Sequence, residues 1–388
     1  MQKSIGGAFL VVGTTIGAGM LSLPLITAAC GPIVSIVLII VSWSVMYSTA
    51  LKLINTCAKQ PLGVNYTTLI KQAMPLSLQV VFTVVYLLLL YALMAAYTTQ
   101  GAALIQLVSA NQYTTTSIDA TVFIIIFGLV ILSTKLSDYI NRSFVSVKLL
   151  FYLLCITSMA LWIKAYNIFN IPVSFYAIVF AWPTLLPSFG FQNIIPVLYE
   201  YQKGDLAAIK KSVLLGSITV LVVYIIWIFI CLTILPQQGP HSYQSIFEQG
   251  NSLTEFMSEI KASTQSTSIN TFLSVFINIS IITSFICVGL SLFHYIKDTC
   301  KRFGYDINGI IGFFLTFLPP FIFTVFYPKG FILALQYAAI FAVVIFVFTP
   351  VYLDKSNRQK FSGLYCLLLG ALVIIAQIFN LTINVDLF

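Results

Sequence analysis

Eleven stretches of about 20 mostly apolar residues, separated by short polar connectors, fix most of what this chain can fold into. They cover 5–29, 32–56, 77–108, 118–134, 143–163, 174–199, 212–235, 271–296, 307–326, 330–353 and 361–383. Each is long enough to cross a hydrocarbon core roughly 30 Å thick. Lipid offers no partner to a backbone polar group, so segments of this length must span as helices. The chain is 59% hydrophobic and 8% charged, with a mean hydropathy of +1.00. Soluble domains average about a quarter charged residues. The expectation is an all-α integral membrane protein, one domain over 1–388, with the lipid bilayer as its main partner.

The charges then set a topology. The net charge is +8, but the basic residues form no patch of the kind that binds nucleic acid. They collect in alternate connectors instead: Lys3; Lys52, Lys59 and Lys71; Lys135, Arg142 and Lys148; Lys203, Lys210 and Lys211; Lys297, Lys301 and Arg302; Lys355, Arg358 and Lys360. That places sixteen of 19 on one side, leaving Lys164, Lys261 and Lys329 on the other. The positive-inside rule puts the N-terminus in the cytoplasm and the C-terminus outside. Seven scattered cysteines without a C-x-x-C pair indicate neither a disulfide framework nor a metal site. The external connector 236–270 is partly amphipathic and reads as a connector carrying a short helix, or as a surface helix over the outer mouth.

Two spans are interrupted. Segment 1 carries Gly13-Thr14-Thr15-Ile16-Gly17-Ala18-Gly19. Three glycines and two threonines in seven residues weaken helical pairing where no water replaces it. Two readings fit: a close-packing face built on Gly13-x-x-x-Gly17, or a broken helix lining a cavity. Segment 6 carries Pro183, Pro187 and the run Ser188-Phe189-Gly190-Phe191. Each proline removes a backbone donor and kinks a helix. Segments 1 and 6 open two five-helix blocks, 5–163 and 174–353, that run in opposite directions across the bilayer. Interrupted helices at matching places in inverted halves are the best sequence pointer to a transporter site at the midplane. Segment 11, 361–383, stands outside the repeat.

At this point the sequence resembles a known family. GGAFLVVGTTIGAGMLSLPL at the start, YALMAAYTTQGA at 91–102, LSDYINRSFVSVKLLF at 136–151, LPSFGFQNIIP at 186–196 and FLPPFIFTVFYPKGF at 317–331 are similar to the hydroxy/aromatic amino acid permeases, and most of all to their tyrosine-specific members. The resemblance runs in order along nearly the whole chain. It implies a LeuT-type fold of 11 helices, a location in the cytoplasmic (inner) membrane, and proton-coupled import of an aromatic amino acid. His294 departs from the pattern, since the tyrosine-specific members carry an acid there. That leaves the proton-handling groups and the exact substrate open between tyrosine, tryptophan and another neutral amino acid.

The expected site follows from both lines. Amides around Thr15, Ile16, Gly17, Ala18 and Gly19 suit a carboxylate, because half-helix N-termini present unpaired N–H groups. Carbonyls near Thr14, Ser188 and Phe189 suit an ammonium, and Gly190 supplies the flexible point. The ring is assigned to Tyr91, Tyr97, Phe189 and Phe191, with Phe285 as a further candidate. Gln100, Asn278 and Ser284 are candidate partners for a phenolic hydroxyl. Lys148 has two readings. It snorkels to the cytoplasmic face, or it is a functional intramembrane charge. The resemblance implies the second, with the ammonium of Lys148 bridging segments 1 and 5 in one conformation and giving up its proton inward in the other. Asp138 and Arg142 are spaced for an i,i+4 pair. Glu200 and His294 sit at helix ends. No H-E-x-x-H or G-x-S-x-G motif is present, so an enzyme is not expected, and neither is a metal or cofactor. A membrane sensor that keeps the site without transporting remains the alternative of another class.

Overall fold

The computed structural model describes residues 2–62, 66–109, 115–164, 166–169, 174–250, 252–354 and 361–382. Among these residues the protein is all helix. Nine helices are long and apolar enough to cross a membrane, and two shorter apolar ones cover Ser4–Thr15 and Thr116–Leu132. The principal helices are α1 (Gln2–Thr15), α2 (Gly31–Cys57), α3 (Leu76–Ser109), α4 (Thr116–Phe123), α5 (Thr134–Ala160), α6 (Phe175–Leu185), α7 (Leu206–Ile234), α8 (Thr267–Arg302), α9 (Gly309–Phe326), α10 (Phe331–Val343) and α11 (Phe361–Thr382). Helix α5 begins earlier than the apolar run suggests, because Ser133 caps it by accepting from the amide of Leu136 at 3.4 Å.

The first apolar run is not one helix. It ends as α1 at Thr15, passes through Ile16 and an extended Gly17 (φ −144°, ψ −159°), and resumes as a tight turn over Ala18–Ser22 and a short helix, Leu23–Thr27. Gly31 then turns the chain with φ 67°, a conformation that costs only glycine nothing, and Pro32 starts α2. The sixth run breaks likewise. Helix α6 gives way to a turn over Pro187–Phe189, and a second helix starts at Ile195. Between them Gly190 sits at φ −72°, ψ 56°, and the amide of Phe191 donates to the carbonyl of Phe189 at 2.8 Å. That is an inverse γ-turn, which reverses the chain within three residues.

Close packing holds α1 against α7. A side chain on Gly216 would meet Val11 Cβ at 2.6 Å and the carbonyl of Ala8 at 2.9 Å, so a Gly there lets the two backbones approach. Helix α5 packs on α8 through Phe151 against Phe272 and Tyr152 against Phe276, with ring centroids 6.1 and 5.5 Å apart. The connector 236–270 carries two short helices, Tyr243–Glu248 and Leu253–Thr264. The second buries Leu253, Phe256 and Ile260 on one face, the amphipathic pattern of its sequence. Gln237 donates to the carbonyl of Ala28 at 2.5 Å. His241 meets Glu259 at 2.8 Å, and Lys329 reaches the Gln249 carbonyl and Glu255. The connector therefore ties to the second half of the broken first run. The side chains of Asp138 and Arg142, and residues 355–360, lie outside the described residues.

Candidate substrate site between the broken helices

Both interruptions face one cavity of about 740 Å³, inside the range of roughly 300–1,000 Å³ typical of small-molecule sites. Its wall includes Gly13, Thr14, Thr15, Ile16, Gly17, Ala18 and Gly19 from the first break. Ser188, Gly190 and Phe191 come from the second, Tyr97 from α3 and Lys148 from α5. Phe9 and Leu10 of α1 and Ser291 of α8 extend it toward the end of the bundle that carries the N-terminus. Phe9 is 70% exposed, whereas nearly everything from Ala18 to Cys30 is buried. The cavity is thus open at the N-terminal end and closed at the end covered by 236–270.

The first break supplies both signs of partial charge. Among the described residues the Gly17 amide, between the two helical pieces, makes no backbone hydrogen bond, Gly19 sits in the first turn of Ala18–Ser22, where amides lack an intrahelical partner, and the Ala18 amide donates to Ser284 Oγ at 2.9 Å. These donors suit a carboxylate. The freed carbonyls are held by side chains. Lys148 Nζ donates to the Ile16 carbonyl at 2.8 Å, and the Tyr224 hydroxyl lies 2.8 Å from the Thr15 carbonyl. Thr14 and Thr15 turn their own hydroxyls back onto the preceding turn, at Leu10 and Val11. What these threonines offer the cavity is therefore backbone rather than hydroxyl.

Lys148 does not snorkel. It is 4% exposed, on the cavity wall, and its ammonium reaches across to the break in the first run. Two ring candidates lie elsewhere. Tyr91 points to α9, donating to the Leu315 carbonyl at 2.8 Å. Phe189 is fully buried behind the break with its ring 5.1 Å from that of Tyr224. The γ-turn at Gly190 is the cause: it sends successive side chains to opposite sides, so Phe191 faces the cavity and Phe189 the core. Phe285 is also buried away, between Phe123 and Phe317. Of the hydroxyl-partner candidates only Ser284 lines the cavity. Glu200 is exposed at the end of the helix Ile195–Tyr201, whereas His294 is exposed but lies inside α8, which runs on to Arg302 and so past the end the apolar run suggests.

Sequence reasoning missed Phe346 and Tyr224. Phe346 lies in a wide turn, Val344–Phe348, that continues α10 with one extra residue per turn. Such π-type turns free a carbonyl and collect at functional sites. Here Thr349 donates to the Val344 carbonyl at 2.8 Å and Tyr66 to that of Ile345 at 2.7 Å. The turn pushes the Phe346 ring onto Gly190, 3.1 Å from where a side chain would begin. Tyr224 had a readable signal: a hydroxyl inside the apolar run LVVYIIWIF must find a partner.

The sequence matches the tryptophan/tyrosine permease family over residues 1–388. The chain belongs to this family. It is 33% identical to tyrosine-specific transport system 1 of Haemophilus influenzae, over 94% of this chain and 90% of that protein. It is 29% identical to a tryptophan-specific transport protein of the same organism, over 97% and 96%. It is 26% identical to the low affinity tryptophan permease of Escherichia coli, over 93% and 88%. Among solved structures, a manganese transporter of Eremococcus coleocola superposes with a TM-score of 0.62 at 13% identity, over 97% of this chain and 85% of that one. At that identity the likeness shows a shared transporter fold, of LeuT-like type, and nothing about cargo. This permease is a multi-pass membrane transport protein for aromatic amino acids of the tyrosine/tryptophan class, and not an enzyme. Among the described residues no three His, Cys, Asp or Glu side chains cluster as metal ligands would.

Proposed function

We propose that this permease is a proton-coupled symporter that imports tyrosine across the cytoplasmic membrane by alternating access. The observation that carries the reading is the shared cavity: two interrupted helices meet there, with the amides of the first break on one wall and a buried ammonium bonded to the Ile16 carbonyl. A zwitterion with a flat ring fits such a wall. Its carboxylate takes the Gly17 and Gly19 amides. Its ammonium takes carbonyls of the breaks, and its ring lies among Tyr97, Phe191 and Phe346. Tyrosine is placed ahead of tryptophan because the 33% identical relative is tyrosine-specific. Ser284, already beside the first break, is the hydroxyl-bearing candidate for discriminating among side chains.

The arrangement proposed is eleven spans, an inverted repeat of 5–163 and 174–353 with 361–383 outside it, and the N-terminus in the cytoplasm. In that orientation the open end of the cavity faces the cytoplasm, so this is the conformation that releases substrate. Lys148 couples the cycle to protons by holding α5 to the first break while charged. The test is uptake of radiolabelled tyrosine into proteoliposomes under an inward proton gradient. Accumulation that collapses with a protonophore is expected. Uptake that ignores the gradient removes proton coupling, and uptake of tryptophan in preference to tyrosine reassigns the substrate within the family.

A further inference from the structure

Tyr224 is fully buried on α7, outside the cavity wall, yet its one hydroxyl serves both broken helices. It lies 2.8 Å from the carbonyl of Thr15 and 2.9 Å from that of Ser188. A phenol has a single proton, so at any instant it donates to one of the two carbonyls. Each carbonyl has two lone pairs, and both residues also line the cavity. The ring packs against that of the buried Phe189, tilted to it by 51° with centroids 5.1 Å apart. Phe189 thus acts through Tyr224 and not on the substrate directly.

We infer that Tyr224 is the positioning residue for the substrate's ammonium: its one proton, shared between the Thr15 and Ser188 carbonyls, keeps the two close together and leaves each with acceptor capacity for an ammonium. The inference rests on the proposed function, since it presumes an amino acid in the cavity. Its physical basis is the cost of disorder. Unwound backbone in lipid has no water to hold it, and two carbonyls on separate chain segments would otherwise be ordered only by the ligand. Pre-ordering them moves that cost out of the binding step. A single hydroxyl bridging both breaks also makes the two half-helices move together when the site opens or closes.

The experiment is tyrosine counterflow in proteoliposomes, with KM and turnover measured separately for Tyr224→Phe and Tyr152→Phe. Tyr152 is the control: it too is buried, and its hydroxyl donates to a backbone carbonyl, that of Val223 at 3.1 Å, which belongs to neither break. Tyr224→Phe keeps the ring and its tilted contact with Phe189. The expected result is a KM for tyrosine raised about tenfold, the scale of one buried group left without its partner, with turnover within about threefold of wild type and Tyr152→Phe unchanged. An unchanged KM in Tyr224→Phe overturns the inference, as does an equal rise in Tyr152→Phe. If Tyr224→Phe fails to fold, Phe189→Leu, which loosens the ring while keeping the hydroxyl, is expected to raise KM about threefold, and a wild-type KM there overturns it. Wild-type protein without saturable tyrosine counterflow would instead defeat the proposed function itself.

Discussion

Gly19→Leu is expected to abolish tyrosine binding while leaving the thermal stability of the empty protein within a few degrees of wild type. Gly19 lines the cavity, and a side chain added there meets no atom within 4 Å. The new side chain therefore starts in free space where the substrate is proposed to sit, and its Cβ displaces no neighbour. Its backbone is not in the left-handed region, so no strain is added. A leucine in the place of the amino acid's own atoms should weaken binding at least about a hundredfold, close to 3 kcal/mol at 1.4 kcal/mol per tenfold. Gly101 offers the opposite case. A side chain there would lie 2.2 Å from the Phe123 ring, so substitution damages the fold whatever the ligand. Tyrosine binding by isothermal calorimetry, read beside thermal unfolding with and without tyrosine, separates the two. Gly19→Leu that still binds tyrosine with wild-type affinity places the substrate elsewhere.

Lys148→Ala and Lys148→Arg should fail in different ways. Lys148 makes a charge-assisted bond to the Ile16 carbonyl from a buried position, an interaction worth about 1.5–3 kcal/mol. Its loss leaves that carbonyl unpaired and frees α5 from the break. With alanine the proposed proton carrier is gone. Gradient-driven accumulation should fall to equilibration, about one-to-one across the membrane, while tyrosine counterflow persists at about a tenth to a hundredth of the wild-type rate. Arginine keeps the charge but does not deprotonate in proteins. That variant should bind tyrosine and resist opening and closing, so both accumulation and counterflow are lost. Full accumulation by Lys148→Ala would remove Lys148 from the mechanism and leave the cavity's role standing.

Much of this was legible in the sequence because lipid makes strong demands. The apolar runs set the helices, since a backbone in hydrocarbon has few alternatives. Gly13 to Gly19 and the Pro187–Gly190 run marked the breaks for the same reason, whereas Lys148, open from the residues alone between snorkelling and function, was singled out only by the resemblance. What was not legible turned on direction. Phe189 and Phe191 are two residues apart and chemically alike, and only the γ-turn at Gly190 decides which faces the cavity. Tyr91 and Tyr97 lie on one long helix, but the first meets α9 and the second the cavity. The π-type turn that delivers Phe346 leaves no mark in an apolar run, because its freed carbonyls are satisfied by Thr349 and by the distant Tyr66.

The central claim is that the open cavity holds the amino acid, and Cys287 gives the most direct test. Of the seven cysteines it alone is exposed; five are buried and Cys300 is intermediate. It lines the cavity with Lys148. The rate of its modification by a small charged thiol reagent, applied to the purified permease with and without saturating tyrosine, is the measurement to make. Tyrosine should slow modification at least tenfold, with half-protection at the concentration that half-saturates uptake, and Cys287→Ser should remove the labelling. A labelling rate unmoved by tyrosine at concentrations that saturate uptake would contradict the placement of the substrate between the two broken helices.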